Sequence, residues 1–131
     1  NRKKMVVCNE NLGKDALTEY QIKQKFDFEK LSVCLYECKL HTGRTHQIRV
    51  HLHHIGVPLI GDFVYKNNIN KDYLPTKIKE NIENNFIIPK RQALHAESIG
   101  FFHPHKKKNM FFDSKEPPEF RDLLILLEKY S

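Results

Sequence analysis

The fold of this chain is decided by the stretch Leu40-His41-Thr42-Gly43-Arg44-Thr45-His46-Gln47-Ile48-Arg49-Val50-His51, which has the pattern of a strand end, a glycine turn and a helix start. Gly43 permits the positive φ that such a turn often needs. Arg44, His46 and the free backbone N–H groups of the first helical turn would converge on one corner. Such a corner suits a phosphate or carboxylate, whereas on an ordinary helix the same residues would form a solvated face.

The helix is predicted to span residues 45–55, with Thr45 as its N-cap and the Gly56-Val57-Pro58 segment as its stop. One apolar stripe recurs at helical spacing and is expected to be buried; it consists of Ile48, Leu52 and Ile55. Two polar stripes lie on other faces of the helix: His46 with Arg49 and His53, and His51 with His54.

Segments before and after this helix along the chain have the sequence pattern of strands. Residues 16–24 and 31–40 are predicted to be strands joined as an antiparallel hairpin, the second strand lying centrally because both of its faces are apolar. Residues 93–102 and 110–112 predict a second hairpin. The fold class is therefore α+β, with a mixed, mostly antiparallel sheet and packed helices.

Two further segments complete the single domain. Residues 66–90 are rich in asparagine and lysine and are predicted to be a partly mobile insertion with one helix from Thr76 to Asn84. Pro117-Pro118 opens a final helix with one apolar face, formed by Phe120, Leu123, Leu124 and Leu127.

Composition limits the class of protein. The chain has 131 residues, of which 40% are apolar, enough for one domain with a core. No stretch approaches the roughly 20 apolar residues that span a bilayer, so no membrane partner is predicted. The net charge of +6 favours a polyanionic partner such as RNA or DNA, although a solubilising surface alone would also produce it.

The three cysteines indicate a reducing, intracellular compartment. Cys34 and Cys38 fall in one predicted strand, where their Cα atoms would lie roughly 13 Å apart, beyond the reach of a disulfide. No cysteine or histidine spacing typical of zinc sites is present, so no metal is expected.

Three blocks of sequence, in order, resemble RluA-type pseudouridine synthases. They are TGRTHQIRVH at 42–51, GVPLIGDxxY at 56–65, and RQALHAE at 91–97, the last followed by FFHP at 101–104 and PPEF at 117–120. The resemblance covers the chain except for residues 66–90. It implies an enzyme that isomerises uridine to pseudouridine in rRNA or tRNA without a metal or organic cofactor.

The resemblance also implies that residues 1–131 are a single partial domain, the C-terminal portion of a catalytic domain. The family's catalytic aspartate lies in an HRLD-x-x-TSG motif, which this sequence lacks, and its active-site tyrosine is implied before residue 1. We therefore expect the chain alone to be inactive. We also expect it to self-associate through an apolar face or an edge strand.

The resemblance assigns roles to four residues. Arg49 would pair with the catalytic aspartate, whose charge needs a fixed cation in a dry pocket. Leu94 matches an aliphatic residue placed against the target base, although core packing is an equal alternative, and Arg49 is expected to border the same cleft. Arg44 and His46 are candidates for contacts with the RNA backbone or for structural roles in the turn. Asp62 is expected to hold a turn.

Two other functions stay open. The chain could be a non-catalytic RNA-binding module, whose affinity would fall steeply with salt. It could also be a metal-binding or scaffold domain built on its histidines, although His51 and His54 have no third ligand at a suitable spacing.

Overall fold

A computed structural model describes residues 3–9, 14–43, 46–62, 64–65, 71–94, 98–103, 108–113 and 115–131. They form two antiparallel β-sheets and three α-helices, which confirms the predicted α+β class. The strands described pair in two separate antiparallel sheets and not in one mixed sheet. None of the helices described is long and apolar enough to cross a membrane.

The larger sheet has three strands in the order β1-β2-β3, formed by Lys3–Asn9, Lys14–Asp27 and Ser32–Leu40. The predicted hairpin of β2 and β3 is confirmed, and its register shifts at a bulge between Ile22 and Gln24. The prediction that β3 is central is wrong, because β1 pairs with the other edge of β2. The apolar side chains of β3 are instead covered by packing against the core.

Helix α1 spans Gln47–His54, so it begins two residues later than predicted. Its N-cap is His46 and not Thr45; His46 has a left-handed backbone with a φ of 52° and makes no side-chain cap hydrogen bond. Gly43 does not adopt a positive φ, so its predicted role is wrong and His46 makes the sharp change of direction. Thr45 and Arg44 lie outside the described residues.

The remaining elements follow the predicted order. Helix α2 (Thr76–Ile82) lies where a helix was expected and continues into one π-helical turn, Glu83–Ile87. The second hairpin consists of β4 (Ser98–His103) and β5 (Lys108–Asp113), so β4 begins later than the predicted strand. Helix α3 (Pro118–Tyr130) begins with proline at its first position and confirms the predicted final helix.

The core lies where α2 and its π-helical turn meet α3 and the end of β2. Its buried apolar side chains are Phe26, Leu74, Ile78, Ile82, Phe86, Leu123 and Leu127. Four of these seven belong to residues 66–90, the segment predicted as a partly mobile insertion. The described part of that segment is therefore a component of the core, because its apolar residues recur at helical spacing beneath α3.

Replacing Ile78 by alanine is expected to lower the free energy of unfolding by about 2–5 kcal/mol, because a fully buried side chain leaves a cavity. Ile88 is the matched control, since it is 66% exposed and its replacement by alanine should cost about 0.5 kcal/mol or less. Urea unfolding followed by circular dichroism measures both. Equal losses would contradict the placement of α2 in the core.

Candidate functional site

Helix α1 sets the geometry of the candidate site, because each of its faces meets a different part of the molecule. One face contacts β2 through polar side chains. A second lines an apolar cavity. The third carries Arg49, which reaches the loop that follows the helix.

Arg49 forms a two-point ion pair with Asp62. Its Nε lies 2.8 Å from Oδ2 of Asp62, and its Nη2 lies 2.9 Å from Oδ1. The Asp62 side chain is fully buried and that of Arg49 is 12% exposed. Oδ1 of Asp62 also accepts the backbone N–H groups of Val64 and Tyr65, each at 3.0 Å. The predicted turn role of Asp62 is confirmed, and its second role as the partner of Arg49 was not apparent from the sequence.

Both members of the pair are held in their charged forms. Burial alone would raise the pKa of Asp62, but the hydrogen bonds from Arg49, Tyr65 and Val64, with the charge of Arg49, lower that pKa on balance. The hydrogen bond to Asp62 raises the pKa of Arg49 in turn. Nη1 of Arg49 has no acceptor within the described parts of the chain, so one edge of the guanidinium stays available.

One aromatic ring lies beside this cation, and two histidine rings lie beside that aromatic ring. The Cζ atom of Arg49 lies 5.4 Å from the centroid of the Tyr65 ring. The rings of His46 and His53, both on exposed residues, lie 6.0 Å and 5.8 Å from that of Tyr65. His46, a predicted RNA contact, therefore shares one basic and aromatic corner with Arg49. Tyr65 was not assigned to the site from sequence; its signal was the D-x-x-Y spacing after the helix.

Leu94 borders an apolar cavity that Arg49 does not line. Leu94 is 42% exposed and borders an apolar cavity of about 300 Å³ together with Ile48 and Leu52 of α1. Arg49 is not among the described residues that line this cavity, so this cavity is not a cleft that the two residues share. The reason is helical geometry: successive residues turn by 100°, so Ile48 faces the cavity while Arg49 faces Asp62.

The buried face of α1 is more polar than its sequence predicts. Leu52 is buried as expected, but Ile55 is 37% exposed. Gln47 and His51 are buried against β2 instead. Their polar atoms find partners there, which removes the usual cost of burying such groups.

These partners form one connected network. Nδ1 of His51 lies 2.7 Å from Oγ1 of Thr18, and Nε2 of Gln47 donates to the same oxygen at 2.9 Å and to the Leu17 carbonyl at 2.9 Å. The Thr42 hydroxyl donates to Oε1 of Gln47 at 2.6 Å and accepts the Leu17 N–H at 2.9 Å. The network fastens α1 and the turn before it to β2.

The two described cysteines form no disulfide, and the described histidines form no metal cluster. Cys34 and Cys38 are free thiols whose pKa values are raised by burial, as befits half-buried cysteines without a disulfide. Within the described segments, no group of three histidine, cysteine or acidic side chains is placed to hold a metal ion.

Comparison with known proteins identifies the family. The model of the RNA pseudouridylate synthase family matches residues 1–54, the region that contains the three-stranded sheet and Arg49. Over 129 residues, 97% of the chain, it is 40% identical to ribosomal large subunit pseudouridine synthase D of Buchnera aphidicola subsp. Schizaphis graminum. The matched part of the chain, residues 1–54, belongs to the RNA pseudouridylate synthase family. This confirms the resemblance seen in the sequence.

Other members of the family match at similar levels. The chain is 38% identical over 119 residues, 91% of its length, to an uncharacterized RNA pseudouridine synthase of Aquifex aeolicus. It is 37% identical over 128 residues, 98% of its length, to ribosomal large subunit pseudouridine synthase D of Pseudomonas aeruginosa. The chain spans 34–38% of the length of these three relatives.

Replacing Asp62 by asparagine is expected to lower the free energy of unfolding at neutral pH by about 3–5 kcal/mol, because it leaves a largely buried arginine without its counter-charge. The native pKa of Asp62 is depressed, so its contribution is present above the ordinary value of 3.8 and is lost as the pH falls below it. The difference between parent and variant should therefore shrink in acid. Urea unfolding at neutral and acidic pH measures it.

The matched control for this substitution is Asp72→Asn. Asp72 pairs with Lys79 at 3.3 Å, but its side chain is 78% exposed, and such pairs contribute little. No measurable loss is expected from the control. Equal losses in the two variants would contradict a structural role for the Arg49–Asp62 pair.

Proposed function

We propose that the protein containing this chain is a pseudouridine synthase that acts on RNA of the large ribosomal subunit, and that Arg49 holds its catalytic carboxylate. The observation that carries the proposal is the buried Arg49–Asp62 pair in a chain of this family. The relatives' names, which refer to the large ribosomal subunit, favour that RNA over tRNA.

The geometry of Arg49 supports this role. A guanidinium has five N–H donors, and Asp62 takes two of them through Nε and Nη2. Two of the remaining three donors lie on the Nη1–Nη2 edge, which matches a second carboxylate at two points. Arg49 can therefore be held by Asp62 on one edge while it orients a reacting aspartate on the other.

The reaction needs such an oriented carboxylate. A uridine is extruded from the RNA at a cost of a few kcal/mol, which basic contacts must offset. An aspartate attacks the nucleotide, and the bond from N1 of the base to the ribose breaks. The base is then rejoined through C5 and the aspartate is released, while the C5 hydrogen leaves as a proton and N1 gains one. Arg49 would keep the aspartate ionised before the attack and aim it.

The exposed corner beside Arg49 would contact the RNA. His46 and His53 flank Tyr65 there, and the chain as a whole carries a net charge of +6. Rings of this kind stack on bases, and basic groups bind phosphates. Arg44, outside the described residues, stays a candidate for the same role. Affinity should fall as salt rises.

A second candidate function concerns the 131 residues by themselves. They contain no HRLD-x-x-TSG motif, which favours RNA binding without conversion for this chain in isolation. Assaying the chain alone beside the complete natural protein that contains it separates the two functions. Conversion by the chain alone would contradict the need for an aspartate in that motif.

In the complete protein, Arg49→Lys is expected to lower kcat by about 100-fold or more, because a single ammonium cannot hold two carboxylates in a fixed geometry. RNA binding should stay close to that of the parent. Tritium release from RNA labelled at C5 of uridine measures turnover, and filter binding measures affinity.

The control is Arg121→Lys, since Arg121 is an exposed arginine of α3 that pairs with Glu116, before the helix, at 3.5 Å. It should turn over like the parent. Full activity of the Arg49→Lys variant would contradict the proposed role, and equal losses in both variants would point to a general effect on folding.

The isolated chain is also expected to self-associate. Large apolar side chains are exposed on several elements, among them Ile22, Leu94 and Ile125. Among the residues described, β3 pairs with one strand only, and an edge strand of this kind can pair with another chain. Light scattering over a range of concentrations should show dimers or larger species. A monomer at every concentration would contradict this expectation.

A further inference from the structure

The hydrogen bonds between α1 and β2 define how Gln47 is oriented. A backbone carbonyl oxygen only accepts, so the Gln47 atom that lies 2.9 Å from the Leu17 oxygen must be the amide nitrogen. The same nitrogen then donates its other hydrogen to Oγ1 of Thr18, at 2.9 Å. The amide oxygen faces Thr42 and accepts its hydroxyl hydrogen.

This orientation decides which nitrogen of His51 carries the proton. The Thr18 hydroxyl accepts from Gln47 and keeps one hydrogen to donate, and Nδ1 of His51 is the acceptor that the described residues offer it, at 2.7 Å. If Nδ1 were protonated, the buried Thr18 hydrogen would have no acceptor among the described residues, which is unfavourable for a buried donor. Neutral His51 therefore carries its hydrogen on Nε2.

Protonation of His51 would break this arrangement. The second proton has to enter at Nδ1, the atom that accepts the Thr18 hydrogen. Burial of His51, with the charge of His54 acting in the same direction, lowers the pKa of His51 below its ordinary value of 6.5. In this tautomer, protonation of Nδ1 removes the acceptor of the Thr18 hydrogen, and the described residues offer that buried hydrogen no other acceptor.

The consequences reach Arg49 through the helix. α1 has only eight residues and no side-chain hydrogen bond at its N-cap, so contacts with the rest of the molecule must hold it. Gln47 and His51 precede and follow Arg49 by two residues each and lie on the face packed against β2. Loss of their contacts would release the segment that carries the guanidinium.

We propose that His51, neutral and hydrogen-bonded through Nδ1 to the Thr18 hydroxyl, is a positioning residue that holds α1 on β2 and so fixes Arg49 against Asp62. The inference rests on the proposed function, in which Arg49 orients the reacting carboxylate. Protonation of His51 removes the hydrogen bond from Thr18 and so loosens α1 on β2. The enzyme therefore loses turnover in acid through a group that never touches the substrate.

Among the described residues, few charged groups face His51. On its own helix, His54 is the group whose charge acts on it. On β2, Tyr20 shares the face of Thr18, whereas Glu19 lies on the opposite face because successive strand side chains alternate. His54 is therefore the neighbour that an experiment can remove to move the titration of His51.

The first experiment is an NMR titration of the complete natural protein labelled with ¹⁵N-histidine and ¹⁵N-arginine. At neutral pH, His51 should show a bare Nδ1 and a protonated Nε2. On acidification, the Arg49 Nε–H signal should change with the same midpoint as His51, below pH 6.5. A proton on Nδ1 at neutral pH, or an Arg49 signal that ignores the protonation of His51, would overturn the proposal.

The second experiment measures kcat against pH for His51→Asn. Asparagine can place an amide oxygen near the position of Nδ1, so turnover should stay near the parent value at neutral pH. Because asparagine cannot titrate, the fall in kcat at acidic pH should disappear. A purely structural role would lower turnover equally at every pH. If kcat of this variant still falls at acidic pH as it does in the parent, the positioning role of His51 is refuted.

Two further variants keep the test decisive. His54→Asn removes the neighbouring charge and should shift the fall in kcat to higher pH. Thr18→Ser keeps the hydroxyl and should behave as the parent, whereas Thr18→Val should reduce turnover at neutral pH. If the complete protein converts no uridine at all, the proposed function fails, and the NMR titration still decides whether His51 positions Arg49.

Discussion

The two-point ion pair between Arg49 and Asp62 is the interaction on which the rest of the site depends. It ties the first turn of α1 to the loop after the helix, where the N–H groups of Val64 and Tyr65 hold the same carboxylate. A largely buried charge is tolerated only while its partner is present, so these two segments are constrained to move together. The pair thus sets the direction in which the free edge of the guanidinium points.

The pair depends in turn on the position of a very short helix. α1 presents a different chemistry on each face, since neighbouring residues turn by 100°. Its polar face is anchored on β2, its apolar face borders a cavity, and its charged face meets Asp62. Gly61, in a positive φ of 80°, lets the loop pass so close to the Arg91 carbonyl that any Cβ would clash there. Asp62 reaches Arg49 because the chain can turn at that glycine.

Local spacing predicted the elements that depend only on neighbouring residues. The β2–β3 hairpin follows from alternation and a short link, and α3 from its proline start and apolar face. The helix of residues 76–82 was also expected, but its place in the core was not. The many asparagines of residues 66–90 reflect the exposed side of that segment. Its burial is decided by the few apolar residues on the other side of the helix.

The sequence by itself determined the family, the α+β class and the choice of Arg49, because each depends on residues that are close together along the chain. Only the tertiary structure decided that Asp62 is the partner of Arg49, that Leu94 borders a separate cavity, and that His51 is buried against Thr18. Those contacts join segments that lie 13 and 33 residues apart for the two bonded pairs. Which face of a helix meets which segment is set by packing, and no spacing along the chain encodes it.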